Sequence, residues 1–361
     1  MKKRKILALL VSATLAMTSL AGCGSSNSGN NTAGGATNSD GKKVVRIQVS
    51  KDTVCGVAMQ VAAEKGYFKE ELEAIGQDCE ITVAASSETV DLITTGKIDA
   101  AFGLACNFIT PISNGLAVSF VTGVHKGCTK FYAKSGAGIN SLEDFKGKTI
   151  GVPTLVDSST LELKRKLADL GFTVNGANAD VNFVAYSMSD LPLALENGAV
   201  DIIGVHEPMG TKIEATYDVV KLLDTGEDEK FKDEYCCMAL VTQDMIENNP
   251  EGAAAFARAV QKGAAFASAN PDEAAKIQID GGYVSGDAET NSKIIQGLDF
   301  NPGVDAARET FSNAFSDLQA TGDLNADLDE AEFTKKAFPE LEGVPETTTY
   351  DVSTGEFTTT E

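Results

Sequence analysis

The chain has 361 residues, with 30 Lys or Arg against 52 Asp or Glu, a formal net charge of −22 and no Trp. That length fits two domains or one large bilobed body at ~100–200 residues per domain, and a 43% hydrophobic fraction supplies a real core and excludes wholesale disorder. A sequence pI of about 4.5, with no basic run in the body, excludes nucleic acid, whose phosphate backbone demands a concentrated basic surface.

Residues 1–22 open with Lys2, Lys3, Arg4 and Lys5, continue through an apolar stretch over 6–17 that is too short to span a bilayer, and end in Leu20-Ala21-Gly22 ahead of Cys23. This arrangement is similar to a bacterial lipoprotein signal peptide, which implies cleavage before Cys23 and lipid on that residue. An ordinary secretory signal with an incidental cysteine is the weaker alternative. More than one acyl chain gives stable anchoring, so the expectation is a body held at the extracytoplasmic face of the cell membrane. Loss of the four basic residues leaves −26. Residues 23–43 are mostly Gly, Ser, Asn, Thr and Ala with no bulky apolar side chain, a flexible tether reaching roughly 25 Å. At the other end, residues 339–361 are Thr/Glu-rich without a basic residue, and a disordered tail is expected.

Between these ends, β-rich runs at 44–49, 81–85, 100–104, 118–124, 149–152, 181–184, 202–205 and 238–242 alternate with helical patterns at 57–75, 88–95, 158–170, 191–196 and 251–269. Strands separated by helices read as βαβ units and a largely parallel α/β fold. One unit recurs. Val83-Ala84-Ala85-Ser86, a short helix and Gly96-Lys97-Ile98-Asp99-Ala100 are echoed by Val184-Ala185-Tyr186-Ser187, a short helix and Gly198-Ala199-Val200-Asp201-Ile202. The glycine suits a left-handed helix cap and the Asp the turn into a strand. Chance explains a lone Gly-x-x-Asp, whereas repetition of the whole unit points to two similar lobes.

Gly66-Tyr67-Phe68, Gly96-Lys97-Ile98-Asp99-Ala100, the run from Ser141 to Val152, and Asn197-Gly198-Ala199-Val200-Asp201 followed by Glu207-Pro208 carry a family likeness. In this order and spacing, over about residues 44–337, the chain resembles the nitrate/sulfonate/taurine (bicarbonate) type of substrate-binding protein of ABC importers. The resemblance implies a two-lobed type II periplasmic-binding-protein fold with two crossover hinge segments. Lobe I would be residues 44–128 plus 236–338, and lobe II 129–235. It implies a non-enzymatic monomer that closes on a small solute, an anion such as a sulfonate, taurine or nitrate, and hands it to an ABC permease. A pyrimidine or thiamine-precursor ligand fits the same frame. A biosynthetic enzyme on this fold is the rival from another class, and a surface adhesin without a ligand a third.

Ligands of open α/β sheets lie beyond the strand carboxyl ends, where helix N-termini present free N–H groups. That rule nominates Thr53 and Cys55 after the first strand, Ser86 and Ser87 after the second, Asn107 after the third, and Thr154, Asp157, Ser158 and Ser159 in lobe II. The same Ser, Thr and Asp residues serve equally well as helix caps. The chain has only two histidines, His125 and His206, each at a strand exit, the second followed by Glu207. Both are expected to face the cleft. Six cysteines remain beyond Cys23: Cys55, Cys79, Cys106, Cys128, Cys236 and Cys237. On the implied crossovers Cys128 would neighbour Cys236 and Cys237, so a bridge to either, or six free thiols, are open alternatives.

Enzyme and metal motifs fail on inspection. Gly147-Lys148-Thr149 ends like a P-loop, but Leu142 stands where its first glycine belongs; Asp323, Asn325 and Asp327 start like an EF-hand, but Leu328 and Thr334 replace the turn glycine and the bidentate glutamate. No cofactor or metal is expected.

Overall fold

The structure is a computed structural model, and it describes residues 36–361. The expected signal peptide, Cys23 and most of the expected tether lie outside the described residues.

Lobe I begins with β1 (Ala36–Thr37) and β2 (Lys43–Lys51), then α1 (Val57–Glu64), α2 (Tyr67–Glu73), β3 (Asp78–Ala85), α3 (Thr89–Thr94), β4 (Ala100–Leu104), α4 (Cys106–Ser113) and β5 (Val118–Lys126). The chain crosses at Gly127-Cys128 into lobe II: β6 (Thr129–Lys134), β7 (Thr149–Val152), α5 (Ser158–Asp169), β8 (Asn182–Ala185), α6 (Leu191–Glu196), β9 (Ile202–His206), α7 (Met209–Thr216) and β10 (Val219–Asp224). It returns through residues 225–234 to β11 (Tyr235–Thr242) and α8 (Gln243–Asn248), α9 (Pro250–Ala269), α10 (Pro271–Asp280), α11 (Ala288–Gly297), α12 (Asp305–Thr321) and α13 (Glu330–Ala337). A last hairpin, β12 (Thr347–Asp351) and β13 (Glu356–Thr360), closes the chain.

The first sheet runs β1-β2-β4-β11-β5, with β3 on the other side of β2; the second runs β10-β6-β9-β7-β8. β2 is parallel to β3 and β4, and β7 is parallel to β8 and β9. The returning strand β11 runs antiparallel to both β4 and β5. Its sequence, Tyr-Cys-Cys-Met-Ala-Leu-Val-Thr, is almost wholly apolar because both faces of a central strand are covered. Separate cores line the two faces of each sheet, Ile47 and Val49 against Phe256 on one side of lobe I and Phe120 against Phe311 on the other. Lobe II divides in the same way around Ile150 and Leu163, and around Leu191 and Ile203.

Several expectations need correction. The single helix predicted over 57–75 is two, because Gly66 adopts φ +78° and turns the chain between α1 and α2. Strands β6 and β10 and helix α4 were not anticipated. The end of the expected tether is ordered: β1 pairs with Lys43 and Val44 of β2, and the Asn38 side-chain Oδ1 accepts from the backbone N–H of Asp40 and Lys42, each at 3.0 Å. The disordered tail is also overturned. β12 and β13 pair over five residues each, Tyr350 packs 5.2 Å from Phe266 of α9, and Phe357 sits edge-on to Tyr67 at 5.3 Å. Thr-rich strands have high β propensity, and two alternating aromatics are enough to dock them.

Candidate functional site

The lobes meet where α4 of lobe I faces the start of α5 in lobe II. Asp157 is the N-cap of α5: its Oδ1 accepts from the Ser159 backbone N–H at 3.0 Å and from the Ser159 hydroxyl at 2.6 Å. Asn107, at the first turn of α4, spans the gap. Its carbonyl oxygen accepts from the Ser158 backbone N–H at 2.5 Å, and its amide reaches Asp157 Oδ2 at 3.5 Å. Thus a lobe I side chain takes one of the free N–H groups at the head of a lobe II helix.

His206 ends β9 at the same point. Its Nε2 donates to Asp157 Oδ1 at 2.6 Å and its Nδ1 lies 3.1 Å from Thr129 Oγ1 and 3.9 Å from Cys128 Sγ. Burial works against ionising either partner, but the neighbouring charge outweighs it. The His206 charge and the bonds from His206 and Ser159 hold the Asp157 carboxyl down at about 2, while Asp157 lifts His206 well above its usual range. At neutral pH the two are an ion pair. Glu162, one turn along α5, behaves oppositely. Burial pushes its carboxyl up to about 8, against the pull of His206, Thr129 and Arg165, and its Oε2 has no hydrogen-bond partner. It is therefore neutral at pH 7.

A second set of contacts ties α5 to α12 of lobe I. Arg165, about 1% exposed, pairs with Asp317 and with Glu234 at 2.9 Å each. Lys164 meets Asp323 at 2.6 Å, and Lys230 meets Asp317 at 2.8 Å. Glu162, Arg165, Glu234, Cys106 and Cys236 line a narrow cavity between the lobes.

Of the residues nominated from the sequence, Asn107, Asp157, Ser158, Ser159 and His206 come together, and Cys55 lies near them beside Cys128 and Cys237. Thr154 is exposed and its carbonyl accepts from Thr160 Oγ1 at 2.7 Å. Thr53 is half-buried ahead of α1, and Ser86 and Ser87 are exposed beyond β3; none of these three meets the central cluster through a hydrogen bond of its side chain. Two nominations are corrected. His125 is fully buried in lobe I, its ring 4.8 Å from Phe300 and 6.2 Å from Phe102, because the penultimate position of β5 points into that core. Glu207 is committed elsewhere, to Lys130 at 2.6 Å and to the backbone and hydroxyl of Thr211 in α7. Thr129, Cys128 and Glu162 are the additions. Glu162 was within reach of sequence reasoning, since positions 158, 162 and 165 share a helix face; Thr129 was not, because β6 itself was missed. Among the described residues, no group of three or more His, Cys, Asp or Glu is arranged to hold a metal ion, and no helix is long and apolar enough to cross a membrane.

Two α/β lobes joined by two crossovers, meeting at helix N-termini and strand ends, define the periplasmic-binding-protein fold. The chain belongs to the NMT1/THI5-like family, whose model matches residues 57–274. The riboflavin-binding protein RibY of Chloroflexus aurantiacus is 26% identical over 229 residues, covering 61% of this chain and 60% of that protein, so the match spans less than two thirds of the relative's length. Among solved structures, the periplasmic aliphatic sulphonate binding protein SsuA of Escherichia coli superposes with a TM-score of 0.65 at 13% identity, over 80% of this chain and 91% of that one. The periplasmic nitrate-binding protein NrtA of Synechocystis gives 0.64 at 15% identity, over 82% and 85%. These likenesses concern the fold.

Proposed function

We propose that the protein is a non-enzymatic solute-binding component of an ABC importer, a monomer held outside the cell by lipid on Cys23, which closes its lobes on a small molecule and presents it to the permease. The observation that carries this reading is the Asn107 bridge to Asp157 and Ser158. A cleft whose walls complete each other's hydrogen bonds favours a closed state to which a ligand adds its own contacts.

The ligand class follows from charge. Asp157 and His206 neutralise each other and Glu162 is protonated, so the centre carries no net charge at pH 7. The cations nearest it, Lys130, Lys164 and Arg165, are each paired with a carboxylate. A sulfonate or nitrate would instead have to use backbone N–H groups or Lys51 at the end of β2. A neutral nitrogen heterocycle of the pyrimidine or flavin kind is the better match, since an uncharged centre does not draw an anion and the amide of Asn107, on opening, can exchange its inter-lobe bonds for the donors and acceptors of a ring edge. The riboflavin-binding name of the one curated relative cited above supports this preference over the anion implied by the sequence resemblance.

Thermal melting of the protein with riboflavin, a neutral pyrimidine, an alkanesulfonate and nitrate tests it. A ligand at 100 times its Kd adds about 2.7 kcal/mol, and the heterocycles are expected to raise the midpoint. A shift with sulfonate or nitrate alone overturns the ligand class, and silence across the panel overturns solute binding. Chemical turnover of the ligand would favour the enzyme. For the anchor, Cys23→Ser is expected to move the protein out of the membrane fraction.

A further inference from the structure

The cysteines nearest the centre form a pair that the solute-binding reading does not use. Cys128 sits in the first crossover and Cys236 at the return from the second, and their sulfurs are 3.3 Å apart. Both are buried and both are free thiols. Closure by about 1.3 Å would bring them to the ~2.05 Å of a disulfide. Two neighbours set this pair apart from inert core thiols. The His206 imidazole lies 3.9 Å from Cys128 Sγ, and Cys236 lines the narrow cavity between the lobes, a space too small for a disulfide reagent, which therefore reaches the sulfur only as the lobes part. A neighbouring cation is one mark of a reactive thiol, and exposure on lobe opening supplies the other.

We propose that Cys128 and Cys236 are a redox-active dithiol that forms a disulfide by exchange with a small-molecule disulfide, joining the two crossover segments. Hydrogen bonding from Cys128, then from Cys237, holds the Cys236 thiol below its ordinary value, so Cys236 is the attacking group. Its thiolate forms a bond to one sulfur of the reagent and expels the other as a thiolate, which takes up the Cys236 proton. Cys128, losing its proton to the second leaving thiolate, then attacks Cys236 Sγ and releases it. Both cysteines are oxidised and the reagent is reduced to two thiols. The bridge encloses residues 129–235, the whole of lobe II, in one covalent loop and fixes the hinge at its two chain passages.

The test uses the full chain, fully reduced, freed of reductant and exposed to oxidised glutathione, followed by intact mass and peptide mapping under non-reducing conditions. The expected result is loss of two free thiols without a retained glutathione adduct, a single cross-link between the Cys128 and Cys236 peptides, and its reversal by dithiothreitol. Cys237→Ser is expected to form the same link, and Cys236→Ser to lose it. Recovery of the Cys128 peptide unlinked from wild-type protein, a persistent glutathione adduct, or a link from Cys128 to Cys55 or Cys237 would overturn the proposal. Fragmentation of the cross-linked peptide between Cys236 and Cys237 lets the wild-type map decide even if a serine variant fails to fold.

Discussion

Asn107 and His206 both stand at the lobe junction, yet their removal has different consequences. Asn107→Ala deletes a neutral bridge and leaves the buried Ser158 N–H without its acceptor, so the ligand-free protein is expected to lose about 1–3 kcal/mol, while ligand affinity falls. Titration calorimetry of the variant against the best solute from the panel measures this. His206→Ala leaves the Asp157 carboxylate buried at 7% exposure without its counter-charge, which costs about 3–5 kcal/mol and is expected as a clear drop in the ligand-free melt. A melt unchanged by His206→Ala would mean that the pair is not formed in solution. Glu162 sets a pH dependence of its own. Its folded value, about 8, is above the ordinary 4.5, so the folded state holds a proton that the unfolded chain releases. Stability from this group is full below pH 4.5 and drains away as the pH rises towards 8. Asp157 has the opposite sign: depressed to about 2 from 3.8, it contributes above pH 3.8 and fails as the pH falls through 2. Denaturant midpoints should decline for the wild type from pH 4.5 upwards, whereas Glu162→Gln should stay flat up to about pH 6.5, above which the raised His206 makes both proteins decline.

At the scale of elements, helix packing and the terminal hairpin carry the clearest expectations. α9 lies against α1 so closely that a Cβ on Gly263 would collide with the Ala58 carbonyl, a backbone atom with nowhere to retreat. Gly263→Ala is expected to destabilise lobe I by about 1–3 kcal/mol, the usual scale of overpacking, and a urea melt checks it. The β12–β13 hairpin holds α9 through Tyr350 on Phe266 and through the Thr348 hydroxyl, which donates to Gln261 at 2.9 Å. Ending the chain after Pro345 would expose Phe266 and leave Gln261 short of a partner, so its melting point is expected below that of the full chain. An unchanged midpoint would show that the hairpin contributes nothing. The hairpin was missed because its Thr and Glu content reads as polar and unstructured, while its docking face consists of Tyr350 and Phe357. β6 and β10 were missed for a related reason: their interleaved charges, Lys130 and Lys134 in one and Lys221 and Asp224 in the other, read as loop, and they become strands by pairing, β10 with β6 and β6 also with β9. Context of this kind overrides local propensity in strands.

For the whole molecule, the contacts between α5 and α12 decide how readily the lobes part. Arg165 is almost fully enclosed and shared between Asp317 and Glu234, so Asp317→Ala strips one of its two carboxylates. A cost of about 2 kcal/mol is expected, below the roughly 3–5 kcal/mol of a fully buried pair because Asp317 is partly exposed and Glu234 remains. Small-angle scattering of the variant should report a larger radius if this latch holds the lobes together. The sequence by itself determined the alternation of strands and helices, the repeat of the strand–helix–Gly-x-x-Asp unit, and the family likeness, because periodicity and turn chemistry are local. It also brought forward Asn107, Asp157, Ser158 and His206, since strand ends and helix starts are local features too. Only the tertiary structure decided that His125 turns into the lobe I core while His206 meets Asp157, that Glu207 belongs to Lys130, and that Cys236 is the thiol at 3.3 Å from Cys128. Those outcomes depend on which groups from distant segments share one buried volume, and the charge each group then carries is set by those neighbours rather than by its own position in the chain.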